Sequence, residues 1–287
     1  MCRPKLTVVI PTLNAEREID RLLRSLESQS WVPEEIIVID SSSDDSTVEI
    51  ASRHSLVRVL SVDRSSFDHG ATRNEAFLQA KGDFILYTTQ DAAPLNEEYI
   101  QKLMEPFADS KVALTYGRQV AKPDAKKYIQ MVQEYNYPLT PIVKTKGDVE
   151  RLGIKAYFCS DVCSAYRRSS LEEIGGIPHP CSTNEDMLAA ARLLRRGYTV
   201  AYVPSAAVLH SHNFGPIKQF RRNRAVGSFL REHYAELDIS SEVGEGRKMA
   251  ETVLRKLVAE GRFMEAIAFM VDCVSRLLGN RIGRFGW

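Results

Sequence analysis

Two stretches near the N-terminus decide the fold: Leu6–Asn14, LTVVIPTLN, and Ile36–Thr47, IIVIDSSSDDST. Each opens with aliphatic, mostly β-branched residues and then changes abruptly to polar turn residues. Short runs that are apolar at every position are typical of strands buried on both faces of a parallel sheet. Between them lies a segment with apolar residues at helical spacing, namely Ile19, Leu22, Leu23 and Leu26. The order strand, helix, strand therefore predicts an α/β unit with parallel strands.

The same alternation continues over residues 1–215. The pattern predicts helices at Thr47–Ala51, from near Thr72, at Leu171–Ile174 and after Asn184, and strands at Val57–Val62, Asp83–Thr88, Cys159–Arg167 and Thr199–Val203. Between Lys122 and Lys155 the pattern weakens, and we expect one helix and a mobile loop there. The whole region is predicted to be a mostly parallel sheet flanked by helices.

The composition changes after Gly215, so residues 216–287 are predicted to be a C-terminal helical extension. A basic helix is expected over Gln219–Tyr234, followed by one or two amphipathic helices over Lys248–Leu278. These helices either pack on their own domain, lie on a membrane surface or form a dimer contact. In the second and third cases the residues near the interface would be Arg276, Arg281, Arg284, Phe285 and Trp287.

The composition also restricts the function. Lysine and arginine total 38 against 37 acidic residues, and a net charge of +1 argues against a general nucleic-acid binder. No uncharged apolar stretch reaches the roughly 18 residues that a membrane span needs. The N-terminal apolar run is too short for the core of a signal peptide. We therefore expect a cytoplasmic protein, in contact with the inner face of the cell membrane if the C-terminal helices lie on a membrane surface.

Polar residues follow several predicted strands. Asp40 and Asp91 end two of them, and ligands of α/β sheets bind at the carboxyl ends of strands. His210 and His212 occupy alternate positions after a later strand, which is a common metal-binding pattern. Asn184-Glu185-Asp186 is equally the start of an ordinary helix, because acidic residues favour its first turn. Taken singly, each group is also consistent with turn or capping chemistry.

Taken in order, these segments resemble the family 2 glycosyltransferases of GT-A fold. The segments are VVIPTLNAE, IIVIDSSSDDST, GATRNEA, QDA, NED and the histidine after PSAAVL, and the similarity covers Leu6 to Asn213. Within that family, FDHGATRN and TTQDAAP look like the rhamnosyltransferases, which use dTDP-L-rhamnose to build bacterial surface polysaccharides. The resemblance implies a nucleotide-sugar half at about residues 1–120 and an acceptor half at about 121–215.

The resemblance also implies roles for individual residues. It assigns donor binding to Pro11, Asn14, Asp40, His69, Gly70, Arg73, Gln90 and Asp91. Asp40 would contact the base, and Arg73 would face the diphosphate or the sugar, since a guanidinium at a helix N-terminus suits a phosphate. Gln90-Asp91-Ala92 stands where the family usually has Asp-x-Asp, so the metal needs another ligand besides Asp91.

A divalent ion, Mg²⁺ or Mn²⁺, is the cofactor that the resemblance implies. Asp91 would bind it together with His210 or His212, and the spacing does not say which. Asp186 resembles the base that deprotonates the acceptor hydroxyl, with Glu185 as the alternative, and the transfer would invert the anomeric centre. Beyond this site, the cluster Arg221, Arg222 and Arg224 is either a solvated face or a contact for an acceptor diphosphate or an anionic lipid headgroup.

Two alternative functions stay open. The first keeps the fold and changes the donor to a UDP-hexose or UDP-N-acetylhexosamine. The second is a non-catalytic nucleotide-sugar binding or scaffold protein, against which the presence of both Asp91 and Asp186 speaks. The expected partners are the donor, a saccharide or lipid-linked acceptor and, for the C-terminal helices, a membrane surface or a second copy of the chain.

Overall fold

A computed structural model describes residues 3–237 and 242–286 of the 287-residue chain. Trp287 lies outside the described residues. The strands are β1 Leu6–Thr12, β2 Glu35–Asp40, β3 Val57–Ser61, β4 Phe84–Thr88, β5 Ala93–Pro94, β6 Val112–Val120, β7 Ile142–Lys144, β8 Cys163–Arg167 and β9 Thr199–Leu209. The helices are α1 Ile19–Glu27, α2 Thr47–Ala51, α3 His69–Gln79, α4 Tyr99–Met104, α5 Lys127–Asn136, α6 Val149–Leu152, α7 Arg168–Glu173, α8 Glu185–Arg195, α9 Pro216–Glu232, α10 Tyr234–Leu237, α11 Glu242–Ala259 and α12 Phe263–Phe285.

All these strands form one mixed sheet in the order β3-β2-β1-β4-β8-β6-β9-β5, with β7 on the outer side of β9. Strands β3, β2, β1 and β4 are mutually parallel, and β6 is parallel to β9. Strand β8 runs antiparallel between β4 and β6. Consequently the carboxyl ends of β1, β2, β4, β6 and β9 and the start of β8 lie along the same edge of the sheet.

Helices cover both faces of the sheet, as the apolar runs predict. In β2, Ile37 and Ile39 belong to the core on one face, and Ile36 and Val38 belong to the core on the other. All four side chains are fully buried. Burial of one such side chain contributes roughly 1.5–3 kcal/mol to stability, which favours a position for β2 with helices packed on both faces. The predicted α/β sheet flanked by helices is confirmed.

Several predicted boundaries were wrong. The strand expected at Cys159–Arg167 begins only at Cys163, and the one expected to end at Val203 continues to Leu209. Strand β6 was not predicted at all, although it pairs with both β8 and β9. Between Lys122 and Lys155 the expected helix is α5, and the expected loop contains β7 and α6.

The C-terminal helices pack on the α/β domain and on one another. Helix α9 enters the main core through Phe229 and Leu230. Helices α9 and α12 meet backbone to backbone along a seam of glycines, Gly227, Gly279 and Gly283. A Cβ atom on Gly283 would lie 2.1 Å from the carbonyl oxygen of Arg224, so only glycine permits this approach.

The outer side of α12 is apolar. The exposed fractions of its side chains run from 46% to 54% for the six residues Ile267, Met270, Val271, Val274, Leu277 and Leu278. An amphipathic helix ordinarily buries its apolar stripe. Here the glycine seam, together with Ala266 and Phe269, forms the packed side instead. Among the described residues, no helix is long and apolar enough to cross a membrane.

Candidate active site

The loops that follow β1 and β2 bring the predicted nucleotide-pocket residues together. Asp40 is buried at the end of β2, where it accepts hydrogen bonds from Thr12 Oγ1 at 2.8 Å and Ser43 Oγ at 2.6 Å. Asn14 has a left-handed backbone (φ 51°), and its Oδ1 accepts from the amide of Asp44 at 2.9 Å. The half-buried Pro11 immediately precedes this turn. The two loops therefore form one hydrogen-bonded unit at the sheet edge.

Gln90 holds the β1 loop from the neighbouring strand. Its Oε1 accepts from the amide of Leu13 at 2.8 Å, and its Nε2 donates to the carbonyl of Leu13 at 3.2 Å. This pairing uses both ends of the side-chain amide and fixes the turn between Gln90 and Asp91. The predicted donor contact of Gln90 stays a prediction, and its observed role is to position Leu13.

Asp91, His210 and His212 form a compact cluster. One possible ligand atom from each lies within 4.8 Å of the others. His210 Nε2 is 3.4 Å from Asp91 Oδ1, and His212 Nε2 is 3.6 Å from Asp91 Oδ2. The Nζ atom of Lys122 also lies 3.5 Å from Asp91 Oδ2. The structure thus brings both predicted histidines to Asp91 rather than one of them.

The protonation of this cluster suits a cation. Burial disfavours the Asp91 carboxylate, but His210, His212 and Lys122 outweigh that effect, so the pKa of Asp91 lies below its ordinary value. Burial and the neighbouring His210 lower the pKa of His212 to about 4. At neutral pH, therefore, Asp91 is ionised and His212 is neutral, the forms that bind a metal ion.

Gln119, at the end of β6, orients His210. Its Oε1 accepts from His210 Nδ1 at 2.9 Å, while its Nε2 donates to Tyr137 Oη at 2.7 Å and Ser160 Oγ at 2.9 Å. A proton on Nδ1 leaves the Nε2 lone pair directed at the Asp91 side. Partners of this kind fix the ring orientation of metal-binding histidines. Sequence reasoning missed Gln119 because it missed β6, and VALTYGRQV is the only signal that could have revealed it.

The FDHG segment forms the start of α3. Asp68 caps the helix by accepting from the amide of Ala71 at 2.8 Å and also accepts from the amide of Cys181 at 2.9 Å. A Cβ atom on Gly70 would lie 2.0 Å from the carbonyl oxygen of Pro178. The glycine therefore lets the 178–181 segment cross the helix N-terminus. His69 is exposed beside it.

Arg73 lies inside a cluster of carboxylates. It is buried, with Nη1 at 3.0 Å from Glu185 Oε1 and Nε at 3.5 Å from Asp161 Oδ2. The amide of Asp161 also donates to Asp186 Oδ2 at 3.2 Å. The predicted contact between Arg73 and the donor stays a prediction, because its guanidinium is paired with protein carboxylates here. Asp161 was missed because it lies in the segment predicted as strand.

Three carboxyl groups around one guanidinium leave an excess of negative charge. Burial and the charges of Glu185 and Asp161 raise the pKa of Asp186 well above the ordinary aspartate value. Burial likewise raises the pKa of Asp161 to about 6, against the opposing effect of Arg73. Asn184 precedes α8 in a left-handed conformation and makes no side-chain capping bond, so the predicted cap was wrong, although Glu185 and Asp186 do occupy the first turn of the helix as predicted.

Asp186, His210 and His212 line one cavity of about 380 Å³, whereas Glu185 is buried behind it. Arg222 of α9 lines the same cavity and lies over the ring of Phe214, which stacks on His212. The other members of the predicted arginine cluster, Arg221 and Arg224, are not among the described lining residues. Asp272 and Arg276 of α12 also line it and were not predicted.

The mixed α/β sheet presents acidic and imidazole groups at its carboxyl edge, which is where ligands of such sheets bind. Comparison with known proteins identifies the class. Residues 7–175 match the model of glycosyl transferase family 2. The chain belongs to this family of nucleotide-sugar transferases.

Two relatives match nearly the whole chain. The O-antigen chain rhamnosyltransferase RfbN of Salmonella typhimurium is 35% identical over 98% of this chain and 90% of its own length. The O-antigen chain rhamnosyltransferase WbaN of Salmonella anatum is 34% identical over the same shares of the two chains.

Solved structures show the same fold. The mannosyltransferase PcManGT from Pyrobaculum calidifontis, in complex with GDP-Man and Mn²⁺, has a TM-score of 0.64 and 17% identity, covering 96% of this chain and 88% of its own. Residues 1–349 of S. aureus TarS in complex with UDP-GlcNAc have a TM-score of 0.59 and 18% identity. The match covers 98% of this chain and 92% of the TarS chain. At these identities the likeness concerns the fold, and it confirms the GT-A architecture.

Proposed function

We propose that this enzyme is an inverting rhamnosyltransferase, which moves L-rhamnose from dTDP-L-rhamnose to a saccharide or lipid-linked acceptor in surface polysaccharide synthesis. The observation that carries the choice of sugar is the 35% identity to RfbN across 98% of the chain. The FDHGATRN and TTQDAAP segments support it.

Asp186 is the proposed general base. It faces the cavity that His210 and His212 also line, and its raised pKa makes its carboxylate a stronger base than that of an ordinary aspartate. Glu185 is the weaker candidate, because its carboxylate is buried and ion-paired with Arg73 at 3.0 Å. The acceptor hydroxyl, once deprotonated, attacks the anomeric carbon opposite the leaving nucleotide.

Asp91, His210 and His212 would hold Mg²⁺ or Mn²⁺. One carboxylate and two imidazoles are a suitable donor set for such an ion, and at neutral pH Asp91 is ionised and His212 is neutral. When bound, the ion supplies positive charge to the leaving diphosphate. The PcManGT complex with GDP-Man and Mn²⁺ supports the assignment through its shared fold.

The donor's nucleoside is proposed to lie against the β1 and β2 loops. Pro11, Asn14 and Asp40 gather there through the hydrogen bonds between these loops. His69 and Arg73 at the start of α3, and Gln90 before Asp91, are proposed to face the diphosphate and sugar side, with Gly70 giving the α3 loop its shape.

The remaining partners belong to the same proposal. We place the enzyme in the cytoplasm, with its lipid-linked acceptor held at the inner face of the membrane and with no nucleic-acid ligand. Arg222, which lines the cavity, is the member of the arginine cluster proposed to contact the acceptor. A homodimer through α12 is the alternative use of its apolar side.

A second candidate donor is a UDP-sugar, favoured by the fold that the chain shares with TarS bound to UDP-GlcNAc. The chemistry proposed for Asp186 and the metal cluster would be unchanged. A non-catalytic nucleotide-sugar binding or scaffold protein is the remaining alternative, and it predicts nucleotide binding without turnover.

Release of nucleoside diphosphate tests these proposals. The purified protein is incubated with dTDP-rhamnose, UDP-glucose, UDP-galactose and UDP-N-acetylglucosamine, with Mg²⁺, Mn²⁺ or EDTA. We expect release from dTDP-rhamnose that EDTA and Asp91→Ala abolish. Release from a UDP-sugar alone would overturn the choice of rhamnose, and nucleotide binding without any release would favour the scaffold alternative.

A further inference from the structure

An apolar groove lies between α11 and the C-terminal half of α12. Its volume is about 1080 Å³, which is large for a small-molecule site. Leu278, Ile282 and Phe285 of α12 line it opposite Met249 and Ala250 of α11. Phe285 is 70% exposed and Leu278 49% exposed, so the groove presents apolar surface to its surroundings. Exposed apolar side chains gathered in a groove with polar residues at its rim are a feature of interaction sites.

The charge around the groove has one sign. Its lining includes Arg247, Arg276, Arg281 and Arg284, and none of the described lining residues is Asp or Glu. Arg247 and Arg276 each have an acidic neighbour one turn away on their own helix. Arg281 is exposed and makes no hydrogen bond or ion pair with the described residues. Guanidinium groups at an apolar groove favour an anionic amphiphile, and phosphate matches them best.

The groove adjoins the catalytic cavity. Asn223 of α9 and Arg276 of α12 line both. The cavity on the other side of these two residues contains Asp186 and His210. A ligand whose chain lies in the groove can therefore extend its polar end towards the cavity that contains the proposed catalytic base.

From these observations we propose that the groove binds the apolar chain of a lipid phosphate or diphosphate, which is the lipid-linked acceptor. The phosphate contacts the arginines of the groove, and the saccharide attached to it extends past Arg276 into the catalytic cavity. The inference rests on the proposed transferase function and adds to it a binding site for the acceptor lipid. The occupant of the groove is one lipid molecule rather than a bilayer surface or a second copy of the chain.

Farnesyl diphosphate, a soluble lipid diphosphate, is a direct probe. The full-length protein is titrated calorimetrically, without donor or metal, with farnesyl diphosphate, farnesol and inorganic diphosphate. We expect farnesyl diphosphate to bind at least about tenfold more tightly than either fragment, because it alone fills the groove and pairs with the arginines. Equal binding of farnesol would overturn the phosphate contact, and equal binding of inorganic diphosphate would overturn the apolar one.

Matched variants locate the binding. Leu278→Glu and Arg281→Glu place a negative charge in the groove, and each is expected to weaken farnesyl diphosphate binding about tenfold or more. Their controls, Val274→Glu and Arg255→Glu, make the same changes at exposed positions that do not line the groove. Each control is expected to change the affinity for farnesyl diphosphate less than about twofold. Circular dichroism confirms that all four remain folded.

The alternatives give different results. If α12 instead docks on a bilayer, Val274→Glu will reduce sedimentation with phosphatidylglycerol vesicles while no variant changes farnesyl diphosphate binding. If a second copy covers the groove instead, light scattering will show a dimer that Leu278→Glu dissociates, and farnesyl diphosphate will not bind. Either pattern overturns the proposal. Because the titration contains no donor, failure of the transferase activity does not alter its outcome.

Discussion

Asp91 and Asp186 lie on the same edge of the sheet, yet their surroundings act on them in opposite directions. Asp91 is surrounded by cationic or basic groups, His210, His212 and Lys122, and its pKa is lowered. Asp186 has Glu185 and Asp161 as neighbours, and its pKa is raised. Burial opposes ionisation of both, so the difference comes from the neighbours. This difference fits the roles proposed for them, a permanent anion at Asp91 and a proton acceptor at Asp186.

The largest expected effect comes from removing the base. Asp186→Asn should lower kcat by roughly 10²–10⁴-fold, because the amide cannot accept the acceptor proton. Binding of dTDP and Mn²⁺ should be retained, as Asp186 is not part of the metal cluster. Steady-state kinetics and dTDP titration check both. Full activity in Asp186→Asn together with loss of activity in Glu185→Gln would move the base to Glu185.

Removing the permanent anion should cost somewhat less. Asp91→Asn is expected to reduce kcat/KM by about 10²–10³-fold, since the leaving diphosphate loses its bound counter-charge. Unlike Asp186→Asn, it should also weaken Mn²⁺ binding, measured by electron paramagnetic resonance of free Mn²⁺. Asp109→Asn, an exposed substitution at the opposite end of β6, is the control. Unchanged Mn²⁺ affinity in Asp91→Asn would remove Asp91 from the metal site.

An intermediate effect is expected from the residue that orients His210. Gln119→Leu should weaken Mn²⁺ affinity by about 10–100-fold, because the Nδ1 proton loses its acceptor. Gln119→Glu keeps an acceptor there and should restore much of the affinity. Gln101→Leu, on exposed α4 surface, is the matched control. Equal losses in Gln119→Leu and Gln119→Glu would indicate a packing role instead.

The smallest effect is a pH dependence. Asp186 acts only when deprotonated, and its raised pKa means that protonation persists above the ordinary carboxyl range. At saturating metal, kcat/KM should therefore rise with pH by up to about tenfold per unit until Asp186 has ionised. The residual activity of Asp186→Asn should not show this rise with pH. A flat profile across the range where the native protein is folded would argue against Asp186 as base.

The apolar runs were sufficient to predict strands β1 to β4 and the polar residues that follow β2 and β4, whereas β6 was missed. Asp40, Asp91 and Asp186 were predicted because apolar strands and motif order mark their positions. Gln119 and Asp161 were not, since a single polar residue near a strand end carries no distinctive pattern. Their importance comes from neighbours distant in the chain, His210 and Arg73, which only the folded sheet brings together.

The C-terminal helices show a different limit. The spacing of Ile267, Met270 and Val274 predicts an amphipathic helix and leaves open which side packs. In the structure the glycine seam decides this, because Gly279 and Gly283 allow α9 closer than any larger residue would. Glycine contributes nothing to a hydrophobic pattern, so the pattern does not show which side of the helix packs.

That seam also has a mechanical consequence. Helices in backbone contact have little freedom to slide or rotate, because any side chain turned into the contact would collide. The α9 residues that border the metal cluster and the α12 residues that face outward are therefore joined without a flexible linkage. A displacement of α12 would therefore also move α9 and its residue Arg222, which lines the cavity. The distance between the two helices is set by their backbones.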